Sequence, residues 1–187
     1  MESMIILALP VVAGGIALSD SIVKIFYGSS FGPSVLAMQL LMFIAGISFV
    51  SYPYSIVLVV SDHQKKNFIL IVAGAIVNIV LNFFFVLVFG FYGVIISTII
   101  ACSVVLFSSV FLSKKLNLIK PFSKNLFKTT LISLLSSLLM YYVVSWKLIA
   151  GLNIICTFLI GVSVYVLLLF VFYKIFYPEK LDIFKKR

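Results

Sequence analysis

The stretch FILIVAGAIVNIVLNFFFVLVF, from Phe68 to Phe89, decides the fold of this chain. It contains no charged residue, and as an α-helix rising ~1.5 Å per residue it reaches about 33 Å, enough to cross the ~30 Å hydrocarbon core of a bilayer. Gly74, Asn78 and Asn82 follow one another at steps of four, so a small residue and two amides share one helix face. We predict a transmembrane helix whose amide face points away from lipid.

Working outward from this helix, five more apolar stretches are separated by short polar breaks. The six predicted spans cover residues 4–18, 35–60, 68–89, 93–112, 126–146 and 152–172. Apolar residues make up 64% of the chain and charged residues only 10%, against about 25% charge in soluble domains. The stretches are too long, and too uniformly apolar, for strands that line a barrel lumen. The predicted fold class is therefore all-α: a single transmembrane bundle of six helices.

Two of these spans carry irregular features. The first span is short against the ~20 residues needed to cross a membrane, and we expect residues 19–28 to form a separate short helix in the outer interface. In the second span, Gln39, Gly46 and Pro53 are seven apart and share one face. Pro53 removes a backbone hydrogen bond, so we expect a bend near Tyr52 to Tyr54.

The fourth span follows the third almost without a break. A tight turn is predicted at Gly90 to Tyr92, and Gly93, Ser97 and Ala101 then step by four along the next helix. Small residues at that spacing make a smooth face, which allows two helices to approach closely. We expect this face to be a site of helix contact.

The basic residues separate by side if the polar breaks alternate across the membrane. Lys24 and Lys147 fall on one side, and the other twelve fall on the opposite side: Lys65, Lys66, Lys114, Lys115, Lys120, Lys124, Lys128, Lys174, Lys180, Lys185, Lys186 and Arg187. Because Lys and Arg in short loops are retained in the cytoplasm, this excess predicts that both termini are cytoplasmic. The lysines lie in loops and a tail beside apolar spans, so the expected partners are membrane lipids and no nucleic acid.

The inventory of reactive groups points away from catalysis. The five acids all lie in predicted breaks or tails: Glu2, Asp20, Asp62, Glu179 and Asp182. The single histidine, His63, has only Asp62 as a neighbouring acid, and membrane enzymes need such groups assembled with a nucleophile or base. Cys102 and Cys156 lie within apolar stretches, without metal-ligand spacing. We expect no enzyme activity, no cofactor and no metal site.

Uncharged polar residues on the predicted inward faces remain as functional candidates. They are Gln39, Ser51, Tyr52, Tyr54, Ser55, Asn78, Asn82, Ser97 and Thr98. Small and amide side chains commonly hold helices together in lipid. These residues are therefore interpreted either as helix-packing residues or as the lining of a transport cavity. No acid or base is buried in a span, so a coupling residue of an ion-driven carrier would have to lie elsewhere.

Several local features together resemble a known family. They are the run from Gly14 to Gly28, then Phe31-Gly32-Pro33-Ser34 with Leu36 to Leu41, then Asn78-Ile79-Val80-Leu81-Asn82, and finally Phe89-Gly90-Phe91-Tyr92-Gly93 with Ser97-Thr98. In order and spacing these resemble the later part of bacterial polysaccharide flippases of the O-antigen and teichoic-acid type, within the superfamily that includes multidrug exporters. The resemblance covers most of residues 7–112. One departure is Leu87, where family members often have a proline.

The resemblance implies a C-terminal part of a longer transporter in the bacterial cytoplasmic membrane. Family members have twelve to fourteen spans in two bundles, and they pass a polyprenyl-diphosphate-linked oligosaccharide across the membrane for cell-surface polysaccharide synthesis. An N-terminal bundle is then the expected partner, without which this half should not transport, because alternating access needs two repeats. At matching positions, Gln39, Tyr52, Asn78 and Asn82 are expected nearest the cavity.

Two other functions stay open from the sequence. One is a multidrug or small-solute exporter of the same superfamily. The other is a non-transporting membrane scaffold subunit, which would pair with other spans through the face of Gly93, Ser97 and Ala101.

Overall fold

A computed structural model describes residues 2–119, 124–146 and 153–176, and within these ranges the protein consists of helices without strands. The six long helices are α1 (Glu2–Tyr27), α2 (Pro33–Val60), α3 (Gln64–Phe89), α4 (Phe91–Lys115), α5 (Lys124–Ser145) and α6 (Ile154–Phe176). A short 3-10 turn, Ser29–Phe31, follows α1. All six helices are long and apolar enough to cross a membrane. The all-α, six-span prediction is confirmed, and the chain is a multi-pass membrane protein.

The prediction of a short first span followed by an interfacial helix is wrong. Residues 19–28 do not form a separate element, because α1 continues without interruption from Glu2 to Tyr27. No helix breaker stands at the proposed junction, and two local bonds support the helix there. Ser19 Oγ donates to the Ile16 carbonyl, and Lys24 pairs with Asp20 one turn earlier, at 2.7 Å.

The helix ends next to the polar segment that contains Lys65 and Lys66 also differ from the prediction. The break before α3 is only Ser61 to His63, where Asp62 takes a positive φ of 60° and His63 N donates to the Leu58 carbonyl. Lys65 and Lys66 therefore belong to the first turn of α3 rather than to a loop. The predicted break at 147–151, and the charged tail beyond residue 176, lie outside the described residues.

The helices divide into two compact units. One unit contains α2, α3 and α4, and the other contains α1, α5 and α6. In the first unit, α4 packs on both α2 and α3. In the second, α5 packs on both α1 and α6. That all six spans form a single bundle stays a prediction.

The polarity of α5 is inverted relative to a helix of a soluble protein. Its exposed positions carry large apolar side chains such as Leu131, Leu134 and Leu138. Four of its seven buried positions carry hydroxyls, and all seven lie along one helix face: Thr129, Ile132, Ser133, Ser136, Ser137, Met140 and Val144. Such a helix meets lipid with its leucines and its neighbours with small residues, as expected where lipid tails replace water.

Candidate functional site

The α3–α4 hairpin is held at unusually close range. Gly90 is the one residue between the two helices, and its positive φ of 54° favours glycine. A Cβ on Gly93 would overlap the backbone of Phe85, and a Cβ on Gly74 would overlap the Val105 side chain. On α3 these two contacts lie eleven residues apart, at Phe85 and Gly74, and Ser97 and Ala101 of α4 are buried on the face between them. The predicted face of helix contact is confirmed.

A chain of hydrogen bonds crosses this hairpin. Ser97 Oγ donates to Asn82 Oδ1, and Asn82 Nδ2 donates to Asn78 Oδ1 at 3.0 Å. Asn78 Nδ2 then donates to Thr98 Oγ1 at 3.1 Å, and Thr98 Oγ1 donates to the Val94 carbonyl at 2.8 Å. The spacing of four that put both amides on one face of α3 also brings them within bonding distance of each other. Each amide is thereby fixed from both ends.

A cleft of about 410 Å³ opens beside this hydrogen-bond chain, within the α2–α4 unit. Its walls are Ile47, Ser48, Ser51, Tyr52 and Ser55 of α2, Ile71, Gly74, Ala75 and Asn78 of α3, and Thr98, Ala101, Cys102 and Val105 of α4. The three serines recur at steps of three and four, which places their hydroxyls on one face of α2. The cleft therefore has hydroxyls on one wall, an amide and a hydroxyl on the other, and apolar side chains between them.

The cleft is electrically neutral, since none of its lining side chains is charged. Within the described residues, no group of three His, Cys, Asp or Glu side chains comes together as a metal site would require. His63 and Asp62 do not form a site either. The imidazole of His63 donates to the Ser61 carbonyl, and Asp62 is exposed in the turn.

Two of the four predicted cavity residues line this cleft, namely Tyr52 and Asn78. Asn82 stands one turn further along α3 and reaches the cleft only through its bond to Asn78. Gln39 is half-buried near the start of α2 and is not part of the lining. The assignment of all four to the cavity of a transporter stays a prediction.

Ser48 and Cys102 line the cleft but were not among the sequence candidates. Ser48 shares the α2 face of Ser51 and Ser55, seven residues before the latter, so the spacing contained the signal. Cys102 follows Thr98 at a step of four on α4. A cysteine inside an apolar stretch ordinarily packs as a small hydrophobe, and only the three-helix arrangement reveals the cleft beside it.

The α1/α5/α6 unit uses its polar groups differently. Pro10 has no N–H, so the carbonyl of Ile6 loses its ordinary partner within α1. Tyr165 Oη of α6 donates to that carbonyl at 2.6 Å, and Ser133 Oγ of α5 donates to Tyr165 Oη across 2.8 Å. The phenol of Tyr165 on α6 therefore bonds both α1 and α5, next to the position where Pro10 removes a backbone hydrogen bond of α1. Tyr165 is buried with Met140 and Val144, so these polar contacts lie inside a packed junction.

Four buried polar atoms of the described residues have no hydrogen-bond partner. They are Asn67 Oδ1, Ser109 Oγ, Ser113 Oγ and Ser137 Oγ. The α3–α4 contacts pair Asn82 with Ser97 and Asn78 with Thr98, and extending that register places Asn67 opposite Ser109 and Ser113. Each of these four atoms is enclosed by protein, so we assign their side chains to helix packing.

Neither a scan of protein-family models nor searches of curated proteins and of solved structures found a match to this chain.

Proposed function

We propose that this chain is the C-terminal portion of a flippase, one that translocates polyprenyl-diphosphate-linked oligosaccharide across the bacterial cytoplasmic membrane for cell-surface polysaccharide synthesis. The observation that carries the proposal is the neutral cleft of the α2–α4 unit, lined by Ser48, Ser51, Ser55, Asn78 and Thr98. Hydroxyls and an amide are costly next to lipid, so a cleft lined by them inside a membrane unit suits a polar, uncharged passenger.

The residues that line the cleft overlap with those that carry the family resemblance. Asn78 and Thr98 belong to the segments that resemble polysaccharide flippases, and Asn82 and Ser97 of the same segments hold them in place. A cleft of about 410 Å³ is too small to enclose a whole lipid-linked oligosaccharide. The proposed mechanism therefore requires a second bundle, which completes the passage and moves against this one.

The proposed orientation keeps both termini in the cytoplasm. Lys65 and Lys66 begin α3 and Lys114 and Lys115 end α4, so the hairpin brings all four lysines to one end of the unit. Tyr92 Oη bonds the Pro33 carbonyl at 2.7 Å and so fixes the start of α2 at the opposite end. Lysines gathered at one end are typical of the cytoplasmic side.

An exporter of small solutes is the second candidate, because the volume of the cleft lies within the range of ~300–1,000 Å³ usual for drug-sized ligands. The scaffold hypothesis is less favoured. Its proposed pairing face, Gly93 with Ser97 and Ala101, already packs on α3 within the same unit.

Complementation of a flippase-deficient strain tests the proposal. The reading frame that contains this chain, expressed with its second bundle, is expected to restore surface polysaccharide. The double variant Asn78→Leu/Asn82→Leu should insert normally and restore about a tenth of that level or less, because the cleft loses its amide. The control Ser103→Ala/Ser163→Ala removes two hydroxyls that bond only to their own helices, and it should restore the full level. Failure of the correctly inserted parent protein would refute the flippase assignment.

A further inference from the structure

We propose that the cleft of the α2–α4 unit binds one uncharged sugar ring of the passenger and excludes its phosphates. This inference rests on the proposed function and assigns a part of the cargo to a particular place. The ligand class is a neutral, polyhydroxylated ring.

The walls of the cleft match both surfaces of such a ring. A pyranose presents hydroxyls around its edge and C–H groups on its faces. Ser48, Ser51 and Ser55 offer hydroxyls from α2, while Ile71 and Val105 offer apolar surface. Tyr52 is 56% exposed, and its side chain provides a flat aromatic face with a hydroxyl at its tip.

The amide at the cleft is oriented before any ligand arrives. Asn78 Oδ1 accepts from Asn82, and one of the two Nδ2 hydrogens goes to Thr98. An amide has two N–H donors, so this arrangement leaves one for a ligand hydroxyl, in a direction that both neighbours fix. A polar group held in advance binds with a smaller loss of conformational freedom.

The absence of charge among the lining residues argues against the diphosphate. Thirteen residues line the cleft, and none is Lys, Arg or His. Transfer of an anion into a site without a cation or a metal carries a desolvation penalty of several kcal/mol per charge. Neutral hydroxyls exchange their water for protein hydrogen bonds at little net cost. The phosphates therefore bind elsewhere on the transporter.

The volume sets the size of the ligand. The cleft volume of about 410 Å³ lies near the lower end of the ~300–1,000 Å³ usual for sites that bind small ligands. A hexose has twelve non-hydrogen atoms, so a single ring with its hydroxyls fits, and a longer oligosaccharide has to extend out of the cleft.

Cys102 provides a reporter inside the cleft. The chain has two cysteines, so Cys156→Ser leaves Cys102 as the sole thiol, and Cys102→Ser leaves the exposed Cys156 of α6 as a matched control. Each protein in nanodiscs is alkylated with N-ethylmaleimide in the presence of octyl glucoside, octyl phosphate or octanol, at equal membrane-bound concentrations below the micellar range. The three probes share one alkyl chain and differ only in the head group.

Octyl glucoside is expected to slow the alkylation of Cys102 at least fivefold, and octyl phosphate and octanol are expected to change it less than twofold. Alkylation of Cys156 should be unaffected by all three. Adding Ser51→Ala/Ser55→Ala to the Cys102 reporter should remove most of the protection while helix content by circular dichroism is retained. Adding Ser163→Ala, a hydroxyl of α6 outside the cleft, should leave the protection unchanged.

Equal protection by octanol and octyl glucoside would mean that the cleft holds an alkyl chain, and it would overturn the sugar assignment. Protection mainly by octyl phosphate, or by none of the probes, would overturn it as well. Each of these results leaves the complementation experiment to decide separately whether the parent protein is a flippase.

Discussion

Both units of this protein bury polar side chains in helix packing, and the α2–α4 unit also places some of them beside a cleft. In the α1/α5/α6 unit, Ser133 and Ser136 are fully buried, and the hydroxyls of α5 serve helix packing. In the α2–α4 unit, Asn78 and Asn82 are half-buried and stand at or beside an open cleft. The polar content of a membrane helix therefore does not indicate a site by itself. What distinguishes the two uses is whether the polar group borders open space.

The largest effect is expected from Gly93→Ala, which should destabilise the α2–α4 unit and leave the stability of the α1/α5/α6 unit unchanged. Gly93→Ala places a Cβ against the backbone of Phe85, which cannot yield as a side chain can, so we expect the α2–α4 unit to lose about 3 kcal/mol. Trp146, the sole tryptophan, follows α5 and reports on the other unit. In an SDS titration, the circular dichroism midpoint should fall while the Trp146 fluorescence transition stays in place.

Gly32→Ala is the control for that measurement, and neither transition should move in it. Gly32 groups with the α1/α5/α6 unit, a Cβ there meets nothing within 4 Å, and the backbone φ of −48° suits alanine. If Gly93→Ala lowered the circular dichroism midpoint and the Trp146 fluorescence midpoint equally, the expectation that the two units unfold separately would be wrong.

The next effect concerns the junction at Tyr165. Tyr165→Phe removes both hydrogen bonds and leaves the Ile6 carbonyl unpaired, so we expect a loss of about 1.5 kcal/mol, detected by Trp146 fluorescence. Pro10→Ala restores an N–H one turn after Ile6, and Tyr165→Phe in that background should cost less than half as much. An equal cost in both backgrounds would show that Tyr165 does not compensate for Pro10.

A smaller effect is expected from the amide chain. Asn82→Leu removes the acceptor of Ser97 and the donor to Asn78, and two such bonds in a membrane contribute about 1 kcal/mol together. The variant should also weaken the protection of Cys102 by octyl glucoside, although Asn82 does not line the cleft. Unchanged protection would mean that Asn78 keeps its orientation without its neighbour.

The smallest effect is expected from a buried hydroxyl without a partner. Ser137→Ala removes Ser137 Oγ, which has no hydrogen bond, so the stability should stay within about 0.3 kcal/mol or rise slightly. A loss above about 1 kcal/mol in the same SDS titration would show that this hydroxyl is bonded after all. Ser133→Ala on the same helix serves as the comparison, since Ser133 does have a partner.

Features that depend on composition and on spacing within one helix were predictable from the sequence. The six spans, the contact face of Gly93, Ser97 and Ala101, and the shared face of the two amides follow from apolar length and a period of 3.6. The prediction of an interfacial helix at residues 19–28 is wrong, because it ends the first span where the uninterrupted apolar run ends, at Leu18. The Asp20–Lys24 pair and the back-bond of Ser19 instead continue the helix beyond Leu18.

Features that depend on the register between helices were not predictable. Asn78 meets Thr98, and not Ser97, because of the one-residue turn at Gly90 and the close approach at Gly74 and Gly93. The cleft needs a third helix at a particular rotation, which no spacing within α2 specifies. The bond from Tyr165 to Ile6 joins residues 159 positions apart. Nothing local to either residue signals it, although Pro10 marks the carbonyl that needs a partner.

The one-residue turn at Gly90 restricts how the α3–α4 side of the cleft can change. A side chain at Gly74 or Gly93 would overlap atoms of the neighbouring helix, so these two positions have to stay small for α3 and α4 to remain at their present distance. The third wall comes from α2, which contains Pro53 and is joined to α3 by the three residues Ser61 to His63. We expect the position of α2 against this hairpin to set the width of the cleft.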